Sequence, residues 1–135
     1  MTHRQSREFR EPLRILIVED NTFLSNLFGK AFEKAHIVYN AHTAAEGWEM
    51  FHNYNPNIIF MDINLPDTSG HIMAKQIKEL YPKSYVVMVT SSTDREDVVT
   101  ARNNNTDGYI VKPFNKKKIT DFIDRYRQAQ VDGYA

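Results

Sequence analysis

Short apolar runs alternate with stretches of helical period along most of this chain. The runs fall at residues 13–18, 37–41, 57–61, 85–89 and 108–111 and read as strands. Between and after them, residues 21–35, 44–54, 70–81, 94–104 and 115–128 carry apolar stripes that read as helices. Phe23, Leu24, Leu27, Phe28, Ala31 and Phe32 illustrate the i, i+3, i+4 spacing in the first of these. Runs as uniformly apolar as Ile15-Leu16-Ile17-Val18 suit strands buried on both faces. Strict alternation of strand and helix predicts a parallel sheet with right-handed crossovers and helices on both sides, a doubly wound α/β domain. The punctuation agrees. Thr43 can cap the second helix, Pro56 and Pro82 stop the second and third, and Asn105 tolerates the left-handed conformation at the end of the fourth.

Residues 1–12 carry many charges and few apolar groups and end at Pro12, so a mobile arm is expected before a single domain spanning 13–128. Residues 129–135 are expected to be a tail, which leaves no room for an output domain. Composition narrows the function classes. Lys and Arg number 17 against 17 Asp and Glu, so no basic surplus draws the chain to nucleic acid or an anionic membrane, and partner recognition must be local. With no cysteine there is no disulfide framework, thiolate zinc site or cysteine nucleophile, which suits a reducing, cytoplasmic setting. No apolar run approaches the roughly 20 residues of a membrane span, and the N-terminus lacks the apolar core of a signal peptide.

Polar residues of chemical interest sit where the strands stop: Glu19 and Asp20 after the first, Asp62 after the third, Thr90 after the fourth and Lys112 after the fifth. In a parallel sheet these ends share one edge, the edge at which ligands bind. If the strand order is 2-1-3-4-5, strands one and three are neighbours about 4.8 Å apart, and Asp20 faces Asp62. Three crowded carboxylates repel, so without a cation at least one should hold its proton or the site should be strained. Mg²⁺, or Mn²⁺ in its place, relieves that repulsion and accepts phosphate oxygens in its remaining positions. Asp62 could then attack phosphorus to form an acyl phosphate, with Lys112 and Thr90 meeting the charge on the phosphoryl oxygens.

Four segments carry a family resemblance: Ile17-Val18-Glu19-Asp20, Met61-Asp62-Ile63-Asn64-Leu65-Pro66 with Ser69-Gly70, Val89-Thr90-Ser91-Ser92, and Tyr109-Ile110-Val111-Lys112-Pro113-Phe114. In order and spacing the chain resembles the receiver domain of two-component response regulators, of the single-domain chemotaxis or sporulation type, over nearly all of residues 13–128. The resemblance implies a flavodoxin-like (βα)5 fold and a phosphorelay role. Asp62 would accept a phosphoryl group from a sensor histidine kinase or a histidine phosphotransfer protein. Asp20 would bind Mg²⁺ directly, Glu19 largely through water, and the backbone carbonyl of Asn64 would be a further ligand. Thr90 would be the switch hydroxyl, Tyr109 the rotating aromatic behind it and Lys112 the phosphate partner, with a cis bond before Pro113. Asn64 and Ser92 would occupy the positions that tune phosphoryl lifetime. The face of helix four, strand five and helix five would meet a downstream protein. Self-phosphorylation and autodephosphorylation are expected, but no turnover on an outside substrate.

Each residue has an ordinary explanation taken singly: a capping loop for Glu19-Asp20, a turn for Asp62, a surface lysine for Lys112, strand packing for Tyr109. The joint arrangement at the strand ends does not. The five histidines, at 3, 36, 42, 52 and 71, show no metal-ligand or carboxylate-paired spacing, and Lys116-Lys117-Lys118 reads as a solvated helix start. A hydrolase of the dehalogenase class would want a second acid two residues after the nucleophile, where this chain has Asn64. The remaining alternatives are a receiver-fold interaction module that works without phosphorylation, and a receiver fragment of a larger regulator or hybrid kinase.

Overall fold

The computed structural model describes residues 11–91 and 95–133. Its strands are β1 (Arg14–Val18), β2 (Ile37–Ala41), β3 (Ile58–Asp62), β4 (Tyr85–Thr90) and β5 (Gly108–Val111). Its helices are α1 (Thr22–Phe32), α2 (Ala44–Tyr54), α3 (Gly70–Leu80), α4 (Arg95–Asn103) and α5 (Lys116–Gly133). Every strand pair is parallel and the order is β2-β1-β3-β4-β5, the flavodoxin-like arrangement anticipated from the alternation and the resemblance.

Because side chains alternate across a strand, the apolar runs feed two cores. Ile15, Ile17, Phe60, Val87 and Val89 pack with Phe28 and Phe32 of α1 and Ile119, Phe122 and Ile123 of α5. Leu16, Val18, Ile59, Met61, Val86 and Met88 point the other way, against Phe51 of α2, Met73 and Ile77 of α3 and Ala101 of α4. Phe28 lies between Phe60 and Phe114, with ring centroids 4.8 and 5.0 Å away. That aromatic column ties the middle of the sheet to the segment after β5.

The punctuation works as the sequence suggests. Thr43 Oγ1 accepts from Glu46 N at 3.0 Å to cap α2, and Asn105 is left-handed with φ 63°. Asn55 takes the same conformation before Pro56, with φ 48°. Three details depart from expectation. Helix α1 ends at Phe32 rather than 35, because Ala35 N and His36 N both turn back to Phe32 O to aim the chain into β2. Its buried face is Ser25, Phe28, Gly29 and Phe32, leaving Phe23 73% and Leu27 51% exposed. Helix α5 continues past 128 to Gly133, since no breaker intervenes and Gln128 donates to Asp132 Oδ1 one turn on, so residues 129–133 of the expected tail are helix, and residues 134 and 135 lie outside the described residues. Residues 1–10 of the expected arm, Ser92 and the expected helix start at 94 lie outside the described residues, while Glu11 and Pro12 are exposed. Among the described residues no helix is long and apolar enough to cross a membrane.

At the opposite edge of the sheet from the strand carboxyl ends, Leu13 N–H donates to His36 Nδ1 at 3.1 Å. That bond needs the ring lone pair. Burial, helped by the charge of Arg127, holds His36 below its ordinary value of 6.5. The folded protein therefore binds fewer protons than the unfolded chain below pH 6.5, and stability should fall as pH drops through that window. Thermal melts at pH 7.5 and 5.5 should show a smaller acid-induced loss for His36→Gln than for the unaltered protein; equal losses would refute the linkage.

Candidate functional site: a carboxylate cluster at the strand ends

Sheet register builds the site. Glu19 follows the last residue of β1, and its N–H extends the pairing with β2 through Ala41 O at 2.9 Å. Asp62 is the last residue of the adjacent β3. Glu19, Asp20 and Asp62 each offer a carboxylate oxygen, and these oxygens lie within 4.8 Å of one another. Glu19 is 3% exposed and Asp62 5%, whereas Asp20 faces solvent. Lys112 comes from the end of β5, two strands beyond β3, a gap of about 9–10 Å that a long side chain can bridge. Its Nζ donates to Glu19 Oε1 at 2.6 Å and to Asp62 Oδ2 at 3.4 Å. The peptide bond that follows, Lys112-Pro113, is cis.

The electrostatics follow from crowding. Burial is the largest influence raising the Glu19 carboxyl above its ordinary 4.5, and the hydrogen bond and charge of Asp62 push the same way. Lys112 and the Asn21 N–H, which donates to Glu19 Oε2 at 3.2 Å, pull it back only in part. His42 Nδ1 lies 3.0 Å from the backbone oxygen of Glu19 and braces that turn from the β2–α2 loop. Glu19, Asp20 and Asp62 are the residues that could hold a hard divalent cation, being an all-oxygen set with surplus negative charge.

The loop from Asp62 to Gly70 closes on itself. Asn64 N donates to Asp62 Oδ1 at 3.0 Å, Gly70 N donates to Ile63 O at 2.7 Å, and Asn64 and Ser69 form an isolated antiparallel bridge. Gly70 is required there, since a Cβ would run into the Asp62 carbonyl oxygen. Thr90 is fully buried at the end of β4, one residue past Val89, the register partner of Asp62, and its carbonyl accepts from Lys112 N at 2.7 Å. Tyr109 sits away from the carboxylates, half-buried beside Met88 and packed on the core that contains Ala101 of α4.

Glu19, Asp20, Asp62 and Lys112 therefore converge, Thr90 and Asn64 adjoin them, and Tyr109 lies behind. Three participants escaped the sequence reading: the His42 brace, Asp67, and a pair between His71 Nε2 of α3 and Asp97 Oδ1 of α4 at 3.1 Å. Only helix-to-helix proximity makes that histidine carboxylate-paired, so spacing along the chain gave no signal of it.

A family model described as the response regulator receiver domain matches residues 15–124. The chain belongs to this family. Chemotaxis protein CheY of Halobacterium salinarum is 33% identical over 111 residues, 82% of this chain and 92% of the relative. Aerobic respiration control protein ArcA of Escherichia coli is also 33% identical, over 78% of this chain, but this chain spans only 44% of its length. A CheY-like receiver domain from Methanospirillum hungatei has a TM-score of 0.85 at 30% identity, covering 90% of this chain and 99% of the other. This receiver domain is thus of the two-component response regulator type, with the family's acidic cluster at its strand ends.

The buried pair makes a prediction about this receiver's stability. Removing Lys112 leaves Glu19 and Asp62 buried without their cation, at a cost of about 3 kcal/mol near neutral pH. Glu19 would then hold its proton to still higher pH in the folded protein than in the unfolded chain, so the cost grows as pH rises above 4.5 and shrinks on acidification. Urea unfolding of Lys112→Met in EDTA at pH 7.5 and pH 5 should show the larger loss at pH 7.5; a pH-independent loss would sink the assignment.

Proposed function

We propose that this protein is a phosphorylatable signalling switch: Asp62 takes a phosphoryl group from a histidine kinase or a histidine phosphotransfer protein, and the altered domain controls another protein. The observation that carries this reading is the placement of Lys112 Nζ between Glu19 and Asp62 inside a three-carboxylate cluster. A structural salt bridge would need one acid for one lysine. The surplus of negative charge at a strand edge instead suits a cation-dependent site for an anionic group.

In this reading a carboxylate oxygen of Asp62 forms the new bond to phosphorus while the bond from phosphorus to the donor's imidazole nitrogen breaks, and the leaving nitrogen keeps that electron pair. Glu19, Asp20, Asp62 and the Asn64 carbonyl would hold Mg²⁺, which when bound neutralises the carboxylates and the phosphoryl oxygens they would otherwise repel. Lys112 can pivot from Glu19 to a phosphoryl oxygen, and the Thr90 hydroxyl can turn to another. The Asn64 N–H keeps Asp62 oriented through Oδ1. The protein would catalyse only its own phosphorylation and dephosphorylation, and a groove of about 770 Å³ does not border the site but lies beside Leu13, Arg14 and the end of α5.

Two surfaces support the partner reading. Phe23 and Leu27 stand exposed on α1, and Leu27 borders a groove lined also by Ala31, Phe114 and Ile119 and flanked by Lys30 and Lys116, which suits a face of the phosphodonor protein that is apolar with acidic residues at its rim. Helix α4 buries only Ala101 among its described residues, so it is the helix that a new charge at Asp62 can displace at least cost. Tyr109 packs on the same core as Ala101 and would move with it, making α4, β5 and α5 the output face.

The test is intact mass after incubation with Mg²⁺ and acetyl phosphate, beside Asp62→Asn and EDTA controls. A single added phosphoryl group that disappears in both controls is the expected result. If no mass is gained, beryllofluoride titration decides: failure to bind it would favour an interaction module that works without phosphorylation.

A further inference from the structure

The tip of the loop between Asp62 and Gly70 is fastened to a helix that supplies none of the cluster's carboxylates. Asp67 accepts from Ala44 N at 2.9 Å through Oδ1 and from Ala45 N at 3.0 Å through Oδ2, so one carboxylate spans the first two N–H groups of α2. These are donors that no helical carbonyl can satisfy. The bonds hold the Asp67 carboxyl below its ordinary range, with the Ala44 N–H the largest influence. Thr43 separately caps the same helix from within its own segment, at Glu46 N. Helix α2 therefore has a local cap as well, and the Asp67 bonds join two distant parts of the chain.

We propose that Asp67 is a positioning residue for the cation site: by clamping the loop tip to α2 it sets the place of the Asn64 carbonyl relative to Asp62 and Asp20. This rests on the reading of Glu19, Asp20, Asp62 and the Asn64 carbonyl as cation ligands. The base of the loop is closed by Gly70 N to Ile63 O and by the Asn64–Ser69 bridge. Leu65 leans on the core beneath. Pro66 restricts the backbone just before Asp67, so little slack separates the clamp from Asn64. With the base closed and the tip clamped, the Asn64 peptide has few alternative orientations. Releasing the tip restores them, and a ligand that must be ordered on binding holds its ion less tightly.

The experiment is calorimetric titration of the full chain with MgCl₂, paired with thermal melts in EDTA, for the unaltered protein and for Asp67→Ala, Asp67→Asn and Thr43→Ala. Asp67→Ala should weaken Mg²⁺ about tenfold, the low end of the effect of losing a group that orients a metal ligand. Asp67→Asn keeps one acceptor and should lie closer to the unaltered protein. Thr43→Ala should lower the melting temperature by loosening α2 while leaving the Mg²⁺ affinity unchanged. Unchanged affinity in Asp67→Ala overturns the inference. Equal weakening in the Asn and Ala variants overturns it in favour of a through-space charge effect, and equal weakening in Thr43→Ala overturns it in favour of general loosening of α2. Absence of saturable Mg²⁺ binding by the unaltered chain overturns the reading of the site itself, and this inference with it.

Discussion

The rest of the structure depends on the mutual repulsion of the carboxylates held at the sheet edge. Glu19 and Asp62 are nearly sealed from water and Asp20 stands beside them, with Lys112 the cation seen bonded into the group. Desolvation makes each unneutralised charge cost several kcal/mol, far more than a surface pair could return. A chain assembled for stability alone would not gather them. The parallel sheet does so because its adjacent strands all present carboxyl ends on one edge, and the β1–β3 register sets Val18 beside Met61 so that the next residue along each strand is an acid, Glu19 and Asp62.

Such an arrangement needs rigid support, and the aromatic column supplies it. Phe60 lies two residues before Asp62 and Phe114 two residues after Lys112, and Phe28 packs on both. Stacked rings with Phe32 against Phe60 complete the wedge beneath α1. The backbone under the acid and the backbone under the lysine are thus referred to one side chain, which keeps the Nζ within reach of two carboxylates. Lys78 does comparable work at the other end of the strands, bonding Ser84 O and Asp107 Oδ2 to hold α3, the start of β4 and the entry to β5 together.

The parallel sheet flanked by helices, and the strand-end acids, were legible because each depends on local pattern: apolar runs for buried strands, polar residues at the strand ends, Thr43 and Asn105 as caps; the strand order came from the family resemblance, since no local pattern writes it. Periodicity misled at α1, where the apolar stripe includes Phe23 and Leu27 although Ser25 and Gly29 occupy the buried face. Small residues let α1 approach β2, a packing demand that hydrophobicity does not encode. The α5 end was missed because a helix without a breaker has no written stop before Gly133. Asp67, His42 and the His71–Asp97 pair were invisible for a different reason. Each joins segments more than twenty residues apart, and a short polar residue in a loop carries no mark of which distant backbone it will meet.

What those long-range bonds reveal is an unequal distribution of restraint around the site. Glu19 is braced by His42, the Asp62 loop is closed by Gly70 and clamped by Asp67, and Lys112 is seated by the aromatic column, so three sides are held by independent means. On the fourth side α4 contributes Ala101 alone to the buried core among its described residues, and is tied to α3 by polar bonds: His71 with Asp97 near its start, and Asn104 Nδ2 to His71 O just past its end. Polar bonds at a partly exposed junction exchange readily with water, whereas buried apolar packing does not. Among the described residues, the α4 side is therefore the least firmly held of the four. On the proposed reading of Asp62 as phosphoacceptor, a new charge there would displace α4 before any of the other three sides.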